Sequence, residues 1–366
     1  MIDQSKFIPG LKLSEMFYEE VVKPILETDF SELVYSAALL GSGSEVLGFD
    51  TPQSMDHHWG PRVQIYLSGE DYKKYSDSIS SVMSKKLPYK FRDIPTNFGS
   101  PDNIGVQMLE EKEEGEINHR VSIQTIKSFY ESNLAVDPYD EISIEDWLTF
   151  PEQHLLTVTA GKVFYDGLRE LESMQEKFRY YPHDLWLHLL AAQWTKISQE
   201  EAFVGRCGDV GDETGSRVIA SRLIQFLMKL CFLMDRKYAP YSKWFGTGFS
   251  KLEIAEKLIP IFEQVQSATS WKDREKYLSQ AYEIVAEKHN SLNITEPLEA
   301  KVSSFHERPY LVIHGDNFAG AIKNKITDER VKKIADKNIG SIDQFVDSTD
   351  VLEHTNIGKK LKVVYE

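Results

Sequence analysis

The sequence predicts an α+β protein, with a small mixed sheet and helices in its N-terminal part and a mainly α-helical C-terminal part. Before residue 150, short apolar runs alternate with helical segments, which is typical of a mixed α/β domain. After it, apolar residues recur at three- and four-residue steps almost to the end, which indicates helices. We therefore predict two domains, residues 1–150 and residues 151–366.

The N-terminal part is predicted to contain three helices and three strands. Tyr72, Tyr75, Ile79 and Val82 recur at helical spacing, so the segment around them is interpreted as an amphipathic helix. The apolar segment 30–40 is also interpreted as a helix, because Gly41 follows it as a plausible helix end. The predicted helices are 11–27, 30–40 and 70–86, and the predicted strands are 62–67, 105–109 and 120–126.

The C-terminal part is predicted to consist of successive helices. Pro182 stands where a helix opens, since proline is favoured in the first turn. Ser143 is a plausible cap for a helix that includes Trp147. The helices predicted after residue 150 are 152–160, 166–178, 182–204, 216–236, 250–265, 271–289, 295–303, 316–337 and 341–347.

Charge and composition restrict the function classes. The net charge of −15 argues against a general nucleic-acid binder, although a local basic pocket for a phosphate ligand is compatible with it. Cys207 and Cys231 are too few for a disulfide framework or a zinc site, which favours a reducing compartment. The N-terminus lacks a signal pattern, and the most apolar stretch, 223–234, is too short to span a bilayer. We expect a soluble, cytoplasmic protein without a membrane partner.

A glycine-serine turn and an acid-histidine pair are the candidate site. Gly41-Ser42-Gly43-Ser44 has the composition of a turn whose N–H groups point at a phosphate, although such runs are also flexible connectors. Asp56 and His58 follow, two residues apart and just before the strand predicted from Arg62. Residues two apart on a strand point to the same face, so this spacing suits a pair of metal ligands.

This order resembles the polymerase-β-like nucleotidyltransferase superfamily, whose motif is Gly-Ser, about ten residues, and Asp-x-Asp/Glu at the start of a strand. Gly43-Ser44 and Asp56 stand at those positions. Nearly the whole chain also resembles one uncharacterised bacterial family of that superfamily, a domain of unknown function. The segments that carry this second resemblance are 146–148, 180–182, 211–216, 238–244 and 339–345.

The resemblance implies a nucleotidyltransferase-like N-terminal sheet and a helical domain that closes the cleft. It implies transfer of a nucleoside monophosphate from a nucleoside triphosphate, with ATP as the first choice, to the hydroxyl of an unknown acceptor. Gly43 and Ser44 are expected to hold phosphates, and Lys243 is expected to contact a phosphate. Asp56 and His58 are the expected catalytic residues and ligands of Mg²⁺ or Mn²⁺.

The sequence departs from the active pattern at two positions. His58 replaces the second carboxylate, and imidazole suits Mn²⁺, Zn²⁺ or Fe²⁺ better than Mg²⁺. The strand 120–126 offers Ser122 and Gln124 where active members carry a third carboxylate. These departures leave an alternative open: a nucleotide-binding or partner-binding module that kept the fold and altered or lost the chemistry.

Two further motifs have alternative interpretations. His314-Gly315-Asp316 is similar to a motif of aminoglycoside-type kinases, but Ala321 stands where those kinases carry a metal-binding asparagine. We expect Asp316 to be a helix N-cap instead. The segment 205–215 contains three acidic residues, which either supply a missing carboxylate or belong to a solvated loop.

Overall fold

The computed structural model describes residues 7–55, 59–103 and 105–366, and it divides into two compact units. One unit contains the described residues up to Ile142 together with His154–Arg179. The other unit contains Ser143–Gln153 and Tyr180–Glu366. The predicted α+β class is confirmed, because a mixed sheet with helices is followed by a mainly helical region.

The first unit is built on a four-stranded mixed sheet. Its strands lie in the order β5-β2-β1-β6; β1 is antiparallel to both of its neighbours and β2 is parallel to β5. A separate two-stranded pair is formed by β3 and β4. The bounds of these strands are β1 (Tyr35–Leu39), β2 (Arg62–Leu67), β3 (Lys90–Phe91), β4 (Ile94–Pro95), β5 (Arg120–Gln124) and β6 (Lys162–Asp166).

The helices account for most of the remaining structure. In chain order they are α1 (Gly10–Phe17), α2 (Lys23–Asp29), α3 (Gly69–Lys86), α4 (Ile126–Leu134), α5 (Ile144–Thr149), α6 (Glu152–Thr159), α7 (Leu171–Lys177), α8 (His183–Glu200), α9 (Phe203–Asp209), α10 (Glu213–Met234), α11 (Ser242–Phe249), α12 (Ala255–Ser267), α13 (Trp271–Ser291), α14 (Gly315–Lys323), α15 (Glu329–Ala335), α16 (Ile342–Phe345), α17 (Thr349–Glu353) and α18 (Thr355–Gly358). Short π and 3₁₀ turns lie at Tyr18–Val22, Pro52–Met55 and Lys359–Val364. A second strand pair, β7 (Ser303–Ser304) and β8 (Leu311–Val312), belongs to the helical unit.

The two faces of the four-stranded sheet differ in chemistry. Side chains alternate across a strand, so Val63 and Ile65 of β2 point to one face, where they join the buried apolar core. Arg62, Gln64 and Tyr66 point to the opposite face. The parallel register with β5 adds three more side chains to that polar face: Arg120, Ser122 and Gln124. The face that carries Arg62 and Gln64 holds the candidate chemistry, and Tyr66 on the same face is fully buried against Phe129. Both faces of the sheet therefore contribute to packing.

The structure corrects several predicted elements of the first unit. Segment 30–40 is not a helix: α2 ends at Asp29, and Tyr35–Leu39 form β1, all of whose residues are buried. A short apolar run that is buried on both faces has no diagnostic period. Segment 105–109 is not a strand, since Leu109 makes only an isolated bridge with Phe98. The predicted helix 166–178 starts only at Leu171, after β6, a strand that was not predicted from the sequence.

Several helices of the second unit are confirmed, whereas others differ. The helices predicted at 216–236 and 271–289 correspond to α10 and α13. Segment 295–303 is not helical, and 316–337 is divided into α14 and α15. The division has a physical cause, because the Asp184 carboxylate accepts hydrogen bonds from the N–H groups of Thr327 and Asp328, both at 2.6 Å, just before α15 begins.

The predicted N-cap at Asp316 is wrong. The residue that precedes α14 is His314, in the left-handed conformation with φ of 56°, and Asp316 lies inside the first turn. The Glu201 carboxylate accepts hydrogen bonds from the N–H groups of Ile313 and Gly315, at 2.8 and 3.3 Å. A carboxylate from α8's C-terminal end therefore performs the capping that the sequence suggested for Asp316. Among the described residues, no helix is long and apolar enough to cross a membrane.

Replacement of Gly161 tests the pairing of β1 with β6. Gly161 has φ of +86°, and a Cβ there would overlap with the Leu39 carbonyl oxygen, far inside the van der Waals contact distance of the two atoms. We expect Gly161→Ala to lower the free energy of unfolding by roughly 2 kcal/mol or more, because both the backbone conformation and the close approach are disturbed. Gly69→Ala is the matched control, since a Cβ at Gly69 meets nothing within 4 Å. Equal urea midpoints for the two variants would contradict this account.

Candidate functional site

The glycine-serine loop begins where β1 ends, and β2 holds it in place. The Leu40 N–H donates to the Gln64 side-chain oxygen at 2.8 Å, and the Gln64 amide donates to the Leu40 carbonyl at 3.0 Å. The Gly41 N–H donates to the Thr157 carbonyl at 3.1 Å. These bonds fix the main chain on the residues that lead into the loop, so the loop starts from a rigid base.

The next three residues present free main-chain donors. Within the part of the chain that the structure describes, the N–H groups of Ser42, Gly43 and Ser44 make no hydrogen bond. Ser42 is exposed, and Gly43 and Ser44 are half-buried. Successive unpaired N–H groups in a tight turn form an anion-binding concavity. The loop can therefore accept a negatively charged ligand without breaking any existing bond.

Arg62 and Glu45 stand directly beside the loop. The Arg62 guanidinium donates through Nη2 to the Ser42 carbonyl at 2.8 Å, and the same nitrogen pairs with Glu45 Oε1 at 2.5 Å. Glu45 is buried, with 5% of its surface exposed. A Cβ on Gly43 would lie 2.7 Å from Glu45 Oε2, and φ of Gly43 is +136°. This close packing requires glycine at position 43.

A second arginine lies next to the first. Arg120 is directly opposite Arg62 in the parallel register of β5 with β2, and its guanidinium carbon lies 5.2 Å from the centre of the Phe98 ring. Burial lowers the pKa of Arg120, and the charge of Arg62 lowers it further. Neither arginine is predicted as a site residue from the sequence, because each is a lone basic residue at the start of a strand. Only the strand register shows that they are neighbours.

The polar face of β2 and β5 carries no carboxylate among its described side chains. Ser122 lies opposite Gln64 and Gln124 lies opposite Tyr66. On the same sheet face, Asp166 of β6 already accepts hydrogen bonds from Ser36 Oγ at 2.6 Å and from the Glu172 N–H at 3.1 Å. Strand β5 therefore offers Ser122 and Gln124, and no carboxylate, on this face.

The structure describes some of the predicted site residues and not others. Gly43 and Ser44 lie in the loop described above, whereas Asp56 and His58, together with His57, lie outside the described residues. Lys243 belongs to the helical unit: it is exposed on α11, with its Nζ 5.2 Å from the centre of the Trp244 ring. At the positions that the structure describes, no group of three or more His, Cys, Asp or Glu residues is placed to hold a metal. The assigned roles of Asp56, His58 and Lys243 stay predictions.

In the second unit, three of the sequence motifs come together as an aromatic cluster. The rings of Tyr180 and Tyr181 lie 5.1 and 5.2 Å from the ring of Tyr238, and Trp147 lies 5.9 Å from Tyr181. All four rings are at least half-buried. The segments 146–148, 180–182 and 238–244 therefore share one packing function in the core of this unit.

Glu152 is a buried acid beside this cluster. Its carboxylate accepts a hydrogen bond from the Ala239 N–H at 2.6 Å, and its own N–H donates to Asp343 Oδ2 at 2.8 Å. Burial raises the pKa of Glu152 to about 8, and the nearby Asp343 charge acts in the same direction. Lys229 donates to the main-chain carbonyl of Asp343 at 2.5 Å. Glu152 is thus held largely in its neutral form at pH 7.

The acidic residues of segment 205–215 each have a structural partner. Asp209, at the end of α9, accepts a hydrogen bond from the Tyr310 hydroxyl at 3.1 Å. Asp212 is the N-cap of α10 and accepts from the Gly215 N–H at 2.7 Å. Glu213 pairs with Arg274, whose side chain is almost fully buried. These contacts favour helix-end stabilisation over a supply of metal ligands.

Comparison with known proteins gives a family match for part of the chain. A family described as "Domain of unknown function (DUF4037)" matches residues 147–245. The segments 180–182, 211–216 and 238–244, and most of 146–148, fall within that range. No curated protein matches the sequence. The crystal structure of a nucleotidyltransferase-like protein from Exiguobacterium sibiricum 255-15 is similar at 10% identity and a TM-score of 0.32, covering 81% of this chain and 83% of that one. The family match therefore covers the aromatic cluster and not the glycine-serine loop.

Replacement of Glu152 tests its buried, neutral state through pH. Because its folded pKa of about 8 is above the unfolded value, its stabilising contribution is complete below pH 4.5 and is lost as the pH rises towards 8. We expect the unfolding free energy of the wild type, measured by urea titration, to fall between pH 6 and 9 by about 2 kcal/mol more than that of Glu152→Gln.

The control is Glu253→Gln, which removes an exposed carboxylate from the same unit. It is expected to keep the pH dependence of the wild type. A Glu152→Gln variant whose stability falls as steeply as that of the wild type would contradict a buried neutral Glu152.

Proposed function

We propose that the chain binds the phosphates of a nucleoside triphosphate at the glycine-serine loop and transfers the nucleoside monophosphate to an acceptor hydroxyl. The observation that carries this proposal is the set of unpaired N–H groups at Ser42, Gly43 and Ser44, held against β2 by Gln64 and Arg62. A loop that is rigid at its base and open at its N–H groups suits a phosphate tail, because little order is lost on binding. The sequence resemblance supplies the reaction class.

The proposed reaction is an in-line displacement at the α-phosphorus. A bond forms between the acceptor oxygen and the α-phosphorus, the bond to the pyrophosphate oxygen breaks, and the acceptor proton passes to solvent or to a nearby base. Asp56 and His58 would hold a divalent cation, which supplies charge stabilisation at the phosphate oxygens. One carboxylate and one imidazole suit Mn²⁺ better than Mg²⁺. ATP is the first nucleotide to test.

A second candidate function is nucleotide binding without transfer. It is favoured by Ser122 and Gln124 of β5, which occupy the polar sheet face where an acid is expected in an active nucleotidyltransferase. Under this alternative the loop binds phosphates in the same way, and the protein acts as a nucleotide sensor or a partner-binding module. The two candidates share the binding step and differ in turnover.

Calorimetry and a transfer assay distinguish these functions. We expect ATP, GTP, CTP or UTP to bind in the presence of Mn²⁺ more tightly than with Mg²⁺, and Asp56→Asn to abolish the release of pyrophosphate. Transfer is followed with α-³²P-labelled nucleotides and a cell extract as the source of acceptor. Metal-dependent binding with no labelled product would support the sensor function instead. If none of the four nucleotides binds, both functions are refuted.

Gly43→Ala tests, in the same binding experiment, whether the glycine-serine loop binds the nucleotide. A methyl group at this position approaches Glu45 Oε2 within 2.7 Å and strains a backbone with φ of +136°. We expect nucleotide affinity to fall at least tenfold, whereas Gly69→Ala, with open space around its Cβ, keeps the wild-type affinity. Equal affinities of the two variants would show that the loop does not bind the nucleotide.

A further inference from the structure

We propose that Ser303 and His314 form a nucleophile–base pair, through which the helical unit takes an acyl group from an activated carboxylic ester and hydrolyses it. This activity is separate from the proposed function and uses no residue of the glycine-serine loop. It rests on the contact of two side chains eleven positions apart, one on β7 and the other just after β8.

A short hydrogen bond joins the two side chains. Ser303 Oγ lies 2.7 Å from His314 Nε2, a distance typical of a serine and the base that activates it. The other ring nitrogen of His314, Nδ1, makes no hydrogen bond to any residue that the structure describes. In the tautomer that carries its proton on Nδ1, the lone pair of Nε2 accepts the proton of the serine hydroxyl.

The serine is accessible, and the histidine is partly enclosed. Ser303 is exposed on β7, where it pairs with Val312 of β8, and His314 is half-buried. Within the described part of the chain, the Ser303 hydroxyl has its hydrogen bond with His314 and no other. A nucleophile has to be reached by its substrate, whereas a base has to be held in place, and the pair meets both requirements.

The main chain holds His314 in a conformation that histidine seldom adopts. Its φ of 56° and ψ of 58° lie in the left-handed region, which costs free energy for a residue with a side chain. The Glu201 carboxylate accepts hydrogen bonds from the N–H groups of the two flanking residues, Ile313 at 2.8 Å and Gly315 at 3.3 Å. Glycine would adopt this conformation without strain, so the strain favours a functional use of the imidazole.

The reaction of the pair is acyl transfer to water in two steps. First, Ser303 Oγ bonds to the carbonyl carbon and gives its proton to His314 Nε2, while the bond to the alcohol oxygen breaks and that oxygen takes the proton. Water then attacks the acyl carbon and gives a proton to Nε2. The bond from the acyl carbon to Oγ breaks, and Oγ regains the proton. Water is the only co-reactant that the two steps require.

The surroundings of the imidazole determine the class of ester. In a Ser-His-Asp triad, a carboxylate bound to Nδ1 stabilises the imidazolium that forms during attack. Among the described residues, none supplies such a carboxylate to His314. The base is therefore weaker than in a triad, and we expect turnover of esters whose alcohol is a good leaving group, such as a phenol.

Covalent labelling of the full chain tests the pair. A fluorophosphonate forms a bond between phosphorus and an activated serine oxygen and releases fluoride, and the modified residue is located by peptide mass spectrometry. We expect the adduct on Ser303. Hydrolysis of p-nitrophenyl acetate is followed in parallel, and Ser303→Ala is expected to remove both the adduct and the enzymatic hydrolysis. His314→Gly is expected to lower the labelling rate about a hundredfold or more, the usual contribution of a general base.

The His314→Gly variant separates the base from the fold. Glycine occupies the left-handed region without strain, so the thermal midpoint is expected to be at least that of the wild type. Imidazole added to the solution is expected to restore part of the labelling rate in this variant. A histidine with a purely structural role would not give this rescue.

The chain supplies a matched control for each residue. Ser304 is the next residue on β7, is equally exposed, and has no side-chain hydrogen bond among the described residues. His306 is exposed and has the same φ of 56°, with its ring 4.6 Å from that of Phe305. Ser304→Ala and His306→Gly are expected to keep the wild-type rates of labelling and hydrolysis.

The outcomes decide the proposal without reference to nucleotides. A folded wild-type chain with no adduct on Ser303, or with Ser303 and Ser304 labelled equally, overturns it. Labelling of Ser303 at the wild-type rate in folded His314→Gly also overturns it, because the serine would then react without its base. The adduct is located on the wild type, so this decision does not depend on the folding of any variant. Ser303→Ala is expected to bind nucleotides as the wild type does, which keeps the test independent of the proposed function.

Discussion

The candidate site depends on the pair of hydrogen bonds between the Gln64 side chain and the Leu40 main chain. They extend the pairing of β1 with β2 beyond Ala38, the last residue of β1 in register with β2. The polypeptide therefore enters the glycine-serine turn from a fixed direction. Without this constraint the turn would be a flexible connector, and its N–H groups would have to be ordered by the ligand at the expense of affinity.

A second constraint is the crowded arrangement of Gly43, Glu45 and Arg62. The guanidinium occupies space that a side chain at position 43 would need, and it joins the turn to β2 through the Ser42 carbonyl. Arg62 therefore both stabilises the turn and places positive charge beside it. The net charge of −15 gives no indication of this local field, because whole-chain charge describes long-range attraction, whereas ligand binding depends on the few groups within several ångströms.

The sequence predicted those parts of the fold that have a clear period or a clear boundary. Helices α3, α10 and α13 were recognised from the helical spacing of their apolar residues, and strands β2 and β5 were predicted close to their observed bounds. The strand β1 was mistaken for a helix, because a five-residue run buried on both faces has no distinguishing period. The strand β6 was missed, since Lys162–Asp166 has only partly buried and exposed residues and lies between two helices.

The same limits apply to the site. The glycine-serine turn could be predicted because glycine and serine favour turns wherever they occur together in the sequence. In the structure, Gly43 and Ser44 lie in an open turn. The proximity of Arg62 and Arg120 could not be predicted, because it results from the pairing of two strands that are far apart in the sequence. Asp56 and His58 lie outside the described residues, so their roles rest on the sequence and on the experiments.

The pairing of β1 with β6 affects how the protein is made. Ser36 and Asp166 are hydrogen-bonded partners separated by 130 positions, and the loop that follows β1 depends on this sheet. During synthesis, β1 has an unpaired edge until the ribosome has produced Asp166 and released it from the exit tunnel. An open edge is a template for association with other strands. The nascent first unit is therefore expected to need protection by a chaperone for longer than a unit built from neighbouring segments, because contacts between distant segments form slowly.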